Sequence, residues 1–335
     1  MNISYRTRQR IRRIAGITAM VLAVVTVVTL CSVLWLQRFG VYTDEGAKLM
    51  FDQPKKLPPS QLPEPIPSPS VTIQYSDTPF REGLQQLSGY YIDPQDLMDD
   101  PDAVRQKLEQ LPAGTPVMLD VKGYRGYFYY STAVGRNTSS SYDISKMDDL
   151  IRWLAGSDLY VIARMSSLRD FDLAWNDNSC GLTKTSGVLY ADSGRYGLGY
   201  WLDPTNDKVL HYLTQVIREL RDKGFDEVVL QNFCFPNTES LSFKGDKAEA
   251  LRSAAAELMT ACTNESFAIS FASSDPAYVL PEGLCRLYLE DIALEDAPSA
   301  WETAAVEEKR LYLVFVAPDG DERYQIENGI LRPLP

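Results

Sequence analysis

Residues 14–36 carry no charge over twenty-three positions, and five arginines (Arg6, Arg8, Arg10, Arg12 and Arg13) crowd the segment before them. As a helix this stretch is roughly 34 Å long at about 1.5 Å per residue, enough to cross a bilayer core. Positive flanks resist translocation, so residues 1–13 are expected to stay as a cytoplasmic basic tail. Residues 14–36 then read as a transmembrane signal-anchor, and everything after them as extracytoplasmic. A cleaved signal peptide is the competing reading. Its apolar core is shorter, and the exit through Leu34, Trp35, Leu36, Gln37 and Arg38 offers no small-x-small cleavage site.

Charge divides the chain in the same place. Beyond residue 38 there are 27 basic and 45 acidic residues, a net of −18. Phosphate contacts need clustered Lys and Arg, so nucleic acid is excluded as a partner. Anionic lipid would be repelled as well, leaving residues 14–36 as the hold on the membrane. Residues 54–69 hold seven prolines in sixteen positions, a composition that forms semi-rigid polyproline II and no core. Residues 37–70 are therefore expected to be an extracytoplasmic spacer, with residues 71–335 as one folded domain.

Within that domain short apolar runs alternate with amphipathic ones. Strands are expected at 89–92, 116–121, 159–164, 227–233, 267–271, 286–289 and 311–316, and helices at 101–111, 143–154 and 247–260. Another helix is expected to open at Asp203-Pro204, with Asp as cap and Pro at the first helical position, and to end at Gly224. Its apolar face is Val209, Leu210, Leu213, Ile217 and Leu220. Strand–helix alternation of this length predicts an α/β fold, a (β/α)8-type TIM barrel. Only 323–326 offers itself as an eighth strand, so the barrel is expected closed there or left incomplete.

Four runs then carry a resemblance: Met118-Leu-Asp-Val-Lys-Gly123, Tyr160-Val-Ile-Ala-Arg164, Trp201-Leu-Asp-Pro204, and Gly224-Phe-Asp-Glu-Val-Val-Leu-Gln-Asn-Phe-Cys-Phe-Pro236. In this order the chain resembles, over about residues 84–320, a bacterial glycoside hydrolase domain of unknown function. That family is a TIM barrel distantly similar to α-amylase-like glycosidases, and its strand motifs read approximately DVKD, IARIVVF, W-DP and GFDEIQFDYIRFP. The resemblance implies a carbohydrate substrate. It also exposes a departure. Where the family carries the Asp of its fourth-strand motif, this chain has Gln231, and the Tyr and Arg positions are Asn232 and Cys234. Glutamine cannot titrate in a useful range, so it cannot serve as nucleophile or acid/base. A retired or weakened site follows. If the chain is an active glycoside hydrolase, it uses a relocated carboxylate pair.

Chemistry in such barrels sits at the carboxy-terminal ends of the strands. The candidate pair is Asp120 with Glu290. Lys122, two residues after Asp120, is expected to point the same way, and Arg164 to point inward with Tyr160 and Ile162. Gln231, Asn232 and Asp291 complete the polar set, with Trp175 and Trp201 on the long connection after the third strand as faces for sugar rings. The plainer reading is that Asp120, Lys122 and Arg164 form an ion-pair network filling the mouth.

His211 is the only histidine and falls within a strong helix, which excludes a His-based triad and a His-rich metal site. No metal or cofactor is expected. The glycines lack phosphate-cradling spacing, so nucleotides are excluded too. Outside the anchor, four cysteines allow three pairings. The barrel puts Cys180 and Cys234 at its top and Cys262 and Cys285 at its bottom, giving Cys180–Cys234 and Cys262–Cys285 in an oxidising compartment and free thiols in a reducing one. Two functions stay open: a carbohydrate-directed barrel on the cell membrane acting on a polysaccharide or cell-wall glycan, and a non-catalytic structural or interaction protein of the cell envelope.

Overall fold

The structure, a computed structural model, describes residues 87–137, 143–194, 197–264, 266–278, 285–304, 312–317 and 329–335, with the backbone of two short strands at 40–43 and 46–49. The chain divides into two compact units, Met1–Ile73 and Gln74–Pro335. In the first, Gly40–Thr43 pairs antiparallel with Gly46–Leu49, inside the stretch read as spacer. Residues 1–13, 14–36 and 54–69 lie outside the described residues. Among the described residues no helix is long and apolar enough to cross a membrane.

The second unit is a closed barrel of eight parallel strands: β1 Ser88–Ile92, β2 Pro116–Lys122, β3 Tyr160–Ser166, β4 Glu227–Gln231, β5 Ala268–Ser273, β6 Leu287–Leu289, β7 Leu313–Val316 and β8 Ile330–Pro333. Each strand pairs with its successor, and β8 returns to β1 through Ile330 opposite Ser88. The eighth strand is thus 330–333. The expected 323–326 lies outside the described residues.

The pleat sorts the side chains. Val117, Leu119 and Val121 of β2, Val161 and Ala163 of β3, and Val228 and Leu230 of β4 face the helical layer, in one large core. Met118, Tyr160, Ile162, Val229, Tyr288 and Val314 turn inward and fill the barrel, as alternation along a strand requires. Helices α1 Pro94–Asp99, α2 Pro101–Leu108, α3 Ile144–Ala155, α4 Phe171–Asn176, α5 Asp207–Asp222, α6 Lys247–Cys262 and α7 Ala297–Ala304 accompany the strands. α5 buries Val209, Leu210, Leu213, Val216, Ile217 and Leu220 on one face, leaves His211 exposed, and gives way to Gly224 at φ 92°. Its cap is Asn206, whose side chain accepts from the Lys208 amide, and not Asp203 as expected. Asp203 instead accepts from the Thr205 amide and hydroxyl in its own turn, a local competitor to helix initiation.

The barrel floor holds a pair that sequence reading passed over. Glu227 and Arg286, both fully buried, meet at 2.5 Å, and the Tyr160 hydroxyl donates to the same Glu227 oxygen at 2.9 Å. The signal was a charged residue opening the otherwise apolar strand EVVLQ, since a charge in that setting requires a partner. Burial, then the neighbouring Glu227 charge, pushes the Tyr160 and Tyr288 hydroxyls well above the ordinary tyrosine value.

Candidate active site

Alternation carries four polar side chains to the top of the filled barrel. Asp120 stands two residues above Met118, Arg164 above Ile162, Gln231 above Val229, and Glu290 above Tyr288. They form one chain of contacts. Arg164 Nε and Nη2 grip Asp120 at 2.5 and 3.0 Å, and its Nη1 donates to Glu290 Oε1 at 2.7 Å. Gln231 Nε2 donates to Glu290 Oε2 at 2.6 Å. The side chains of Arg164, Asp120 and Glu290 keep only 15, 21 and 8 % exposure. Burial works against the Arg164 charge, but Asp120 and Glu290 outweigh it and push the guanidinium well above its ordinary value. A permanent cation therefore spans the two carboxylates proposed as the catalytic pair.

Lys122 is not in this group. The pairing of β2 with β3 shifts after Asp120, setting Asp120 opposite Arg164 but Lys122 opposite Met165. This bulge turns Lys122 to the outer layer. There its ammonium pairs with Asp170 at 2.8 Å, donates to the Ser166 carbonyl at 2.7 Å, and lies over the rings of Phe128 and Tyr212. Asp170 also caps α4 through the Leu173 amide and accepts from the Tyr212 hydroxyl. Gly126, at φ 83°, allows the loop after β2 to close on it, because a Cβ there would sit 2.3 Å from Asp170 Oδ1. Asp170 gave no sequence signal, being one acid among many in a long loop.

The remaining candidates fall around the rim. Asn232 follows β4 directly and Asp291 lies two residues past β6, both in left-handed backbone at φ 57° and 56°. Such backbone in non-glycine residues gathers where surrounding structure enforces a special conformation, often at ligand sites. Asn232 accepts from the Ser166 hydroxyl at 3.0 Å. Asp291 is exposed and lines a surface groove with Ser274, Asp296, Ser299 and Thr303. Trp201, named as a face for sugar rings, is 6 % exposed, because Leu182 of the same connection and Leu241 from beyond β4 close over it. Trp175 is 62 % exposed and stacks on Phe171.

Cys180, Cys234, Cys262 and Cys285 are free thiols in the structure. Cys180 and Cys234 are thiols in separate packing clusters, Cys180 in the main core and Cys234 against the Leu182–Trp201–Leu241 group. Cys262 is a thiol directed at the Thr214 carbonyl of α5. Burial, followed by Asp192 and Asp275, pushes the Cys234 thiol up to about 11. A thiol whose folded value is raised stabilises the fold fully below its unfolded value, near 9, and that contribution disappears as pH climbs through 11. Stability should therefore fall by about 2 kcal/mol between those pH values beyond what Cys234→Ala shows. Equal alkaline loss in the two proteins would contradict this. At pH 8 iodoacetamide should label native Cys234 roughly a hundredfold more slowly than an exposed thiol.

Eight parallel strands with polar groups at their carboxy-terminal ends define a TIM-type barrel. Residues 107–270 match the family described as "Putative glycosyl hydrolase domain", so this stretch is a glycosyl-hydrolase-like domain, as the strand motifs implied. The match spans Asp120, Arg164 and Gln231 and stops short of Glu290. Among solved structures, the cycloalternan-degrading enzyme from Trueperella pyogenes is similar at 11 % identity with a TM-score of 0.50, covering 76 % of this chain and 43 % of that one. An α-galactosidase from Thermus thermophilus is 16 % identical at a TM-score of 0.45, over 73 % and 46 %. A hypothetical protein from Ruminiclostridium thermocellum is 21 % identical at 0.42, over 54 % and 96 %. The likeness to the cycloalternan-degrading enzyme is one of fold. This chain spans less than half the length of that enzyme and of the α-galactosidase. No curated protein matches the chain.

Proposed function

We propose that the chain is a membrane-anchored, extracytoplasmic glycan-binding protein built on a glycoside hydrolase barrel that no longer turns over its substrate. The observation that carries this reading is the commitment of Glu290. Arg164 holds one of its oxygens and Gln231 the other, while the rest of the Arg164 fork holds Asp120. Glycoside hydrolysis needs one carboxyl to arrive protonated and a second to attack or activate water. Here both carboxylates are clamped to one guanidinium, so neither can turn to a sugar without breaking an ion pair. The anchor rests on the uncharged run 14–36 and its arginine flank, and an uncharged or basic glycan fits the surplus of acidic residues.

A second reading has one observation in its favour. The mouth satisfies its own polar groups and Trp201 is covered, which suits a structural or interaction protein of the cell envelope. The test is incubation of the full-length protein, in detergent, with a panel of cell-envelope and plant polysaccharides. Retention of a glycan with no release of reducing ends is the expected result. Release that disappears in Asp120→Asn would overturn the non-catalytic reading, and neither retention nor release would favour the envelope scaffold.

A further inference from the structure

The loop after β3 carries an aromatic group that the mouth does not use. Trp175 on α4 is the most exposed large apolar side chain among the described residues. Its indole lies 5.7 Å from Phe171 with the rings only 9° apart, and Phe171 stacks on Tyr200 at 5.1 Å and 22°. The Arg125 guanidinium backs Phe171 at 3.9 Å and is pinned in turn by the Leu198 carbonyl at 2.7 Å. Beneath the stack, Asp170 caps α4 and holds the buried Lys122. A fully buried ion pair thus fixes the element that presents a flat ring to solvent.

Exposing a fixed indole leaves apolar surface in water, which is unfavourable unless something covers it. A stable protein partner would need an interface of about 1,000 Å² or more. The other large apolar side chains exposed among the described residues are only Val188 and Leu198, too few for such a patch. A sugar ring needs no more than one aromatic face. A pyranose whose substituents are all equatorial directs C–H bonds at both faces and hydroxyls around its edge. The net charge of −12 works against an anionic polymer.

We propose that the Trp175–Phe171–Tyr200 stack is a surface site for an uncharged, equatorially substituted pyranoside within a polysaccharide, separate from the barrel mouth. The inference rests on the glycan-binding reading and relocates its contact. The ring contacts of Trp175 run to Phe171 and Tyr200, whereas Asp120, Arg164, Gln231 and Glu290 are joined to one another.

Full-length protein in detergent is titrated calorimetrically with cellohexaose and with chitohexaose, with polygalacturonate as the anionic control. Either neutral oligosaccharide should give a saturable binding heat, and polygalacturonate should not. Trp175→Ala should weaken binding roughly tenfold with an unchanged melting temperature, and Trp175→Phe should retain most of the affinity. Undiminished binding by Trp175→Ala would place the glycan elsewhere on the chain and overturn the platform while leaving the glycan-binding reading standing. Absence of any response to the neutral probes in the wild type would overturn both.

Discussion

Lys122→Met should lower the stability of the barrel unit by roughly 3–5 kcal/mol, the cost of leaving one member of a buried ion pair uncompensated. For a unit of this size that corresponds to a fall in melting temperature on the order of 10 °C. The pair is 0 and 1 % exposed, so water cannot solvate the orphaned Asp170. Methionine fills most of the lysine stem's volume, which separates the charge effect from a cavity effect. The double variant Lys122→Met, Asp170→Asn removes both charges and should recover a large part of the loss, because Asn can still accept from the Leu173 amide. Equal instability of the single and double variants would mean that shape, and not the buried charge, is what Lys122 contributes. The single variant should also loosen α4, and with it the orientation of Trp175.

How legible this molecule was depends on whether a position obeys local periodicity. Tyr160, Ile162 and Arg164 point into the barrel because successive side chains on a strand alternate, and their placement follows from spacing alone. Asp120 follows the same rule from Met118. Lys122 breaks it, since one extra residue at the end of β2 reverses every side chain beyond. Nothing in the residue types of DVKG signals that insertion. Trp201 looked available because the connection before it mixes aromatics with Gly and Asp, yet Leu182 in that connection and Leu241, forty residues further on, cover it. For the cysteines, spacing supplies only a height in the barrel, whereas disulfide geometry depends on the direction of the Cβ as well. The final strand was missed because ILRP is four residues long and contains proline; its apolar Ile330 and Leu331 become a strand only when β7 and β1 flank them. Arg164 as the bridge between two carboxylates was visible as a set of residue types, but the joining of Glu290 to it spans 126 residues and needs the closed barrel.

Gln231→Glu tests the mouth itself. The exchange keeps the shape of the side chain but replaces the amide that donates to Glu290 at 2.6 Å with a second carboxylate. Arg164 already divides its single charge and three of its five N–H donors between Asp120 and Glu290. Two anionic oxygens would then face each other at hydrogen-bond distance in a nearly buried site. A stability loss of roughly 3 kcal/mol at pH 7 is expected, read as a lower denaturant midpoint at an unchanged slope. The sign of its pH dependence is the more specific signature. Lowering the pH puts a proton between the two carboxylates in the folded variant before the unfolded chain binds one, so the variant gains stability relative to wild type as pH falls from 7 toward 5. A deficit that stays constant over that range would mean that residue 231 does not face Glu290. The shared proton also creates what the wild-type mouth lacks, a carboxylic acid among carboxylates at the head of a glycosidase-like barrel. If loss of a titratable group at position 231 is what silenced the site, Gln231→Glu is the variant in which slow release of reducing ends should first appear, strongest near pH 5 and removed again by Asp120→Asn. Release by the unmodified protein at the same rate would instead mean that Arg164 does not lock the carboxylates at all.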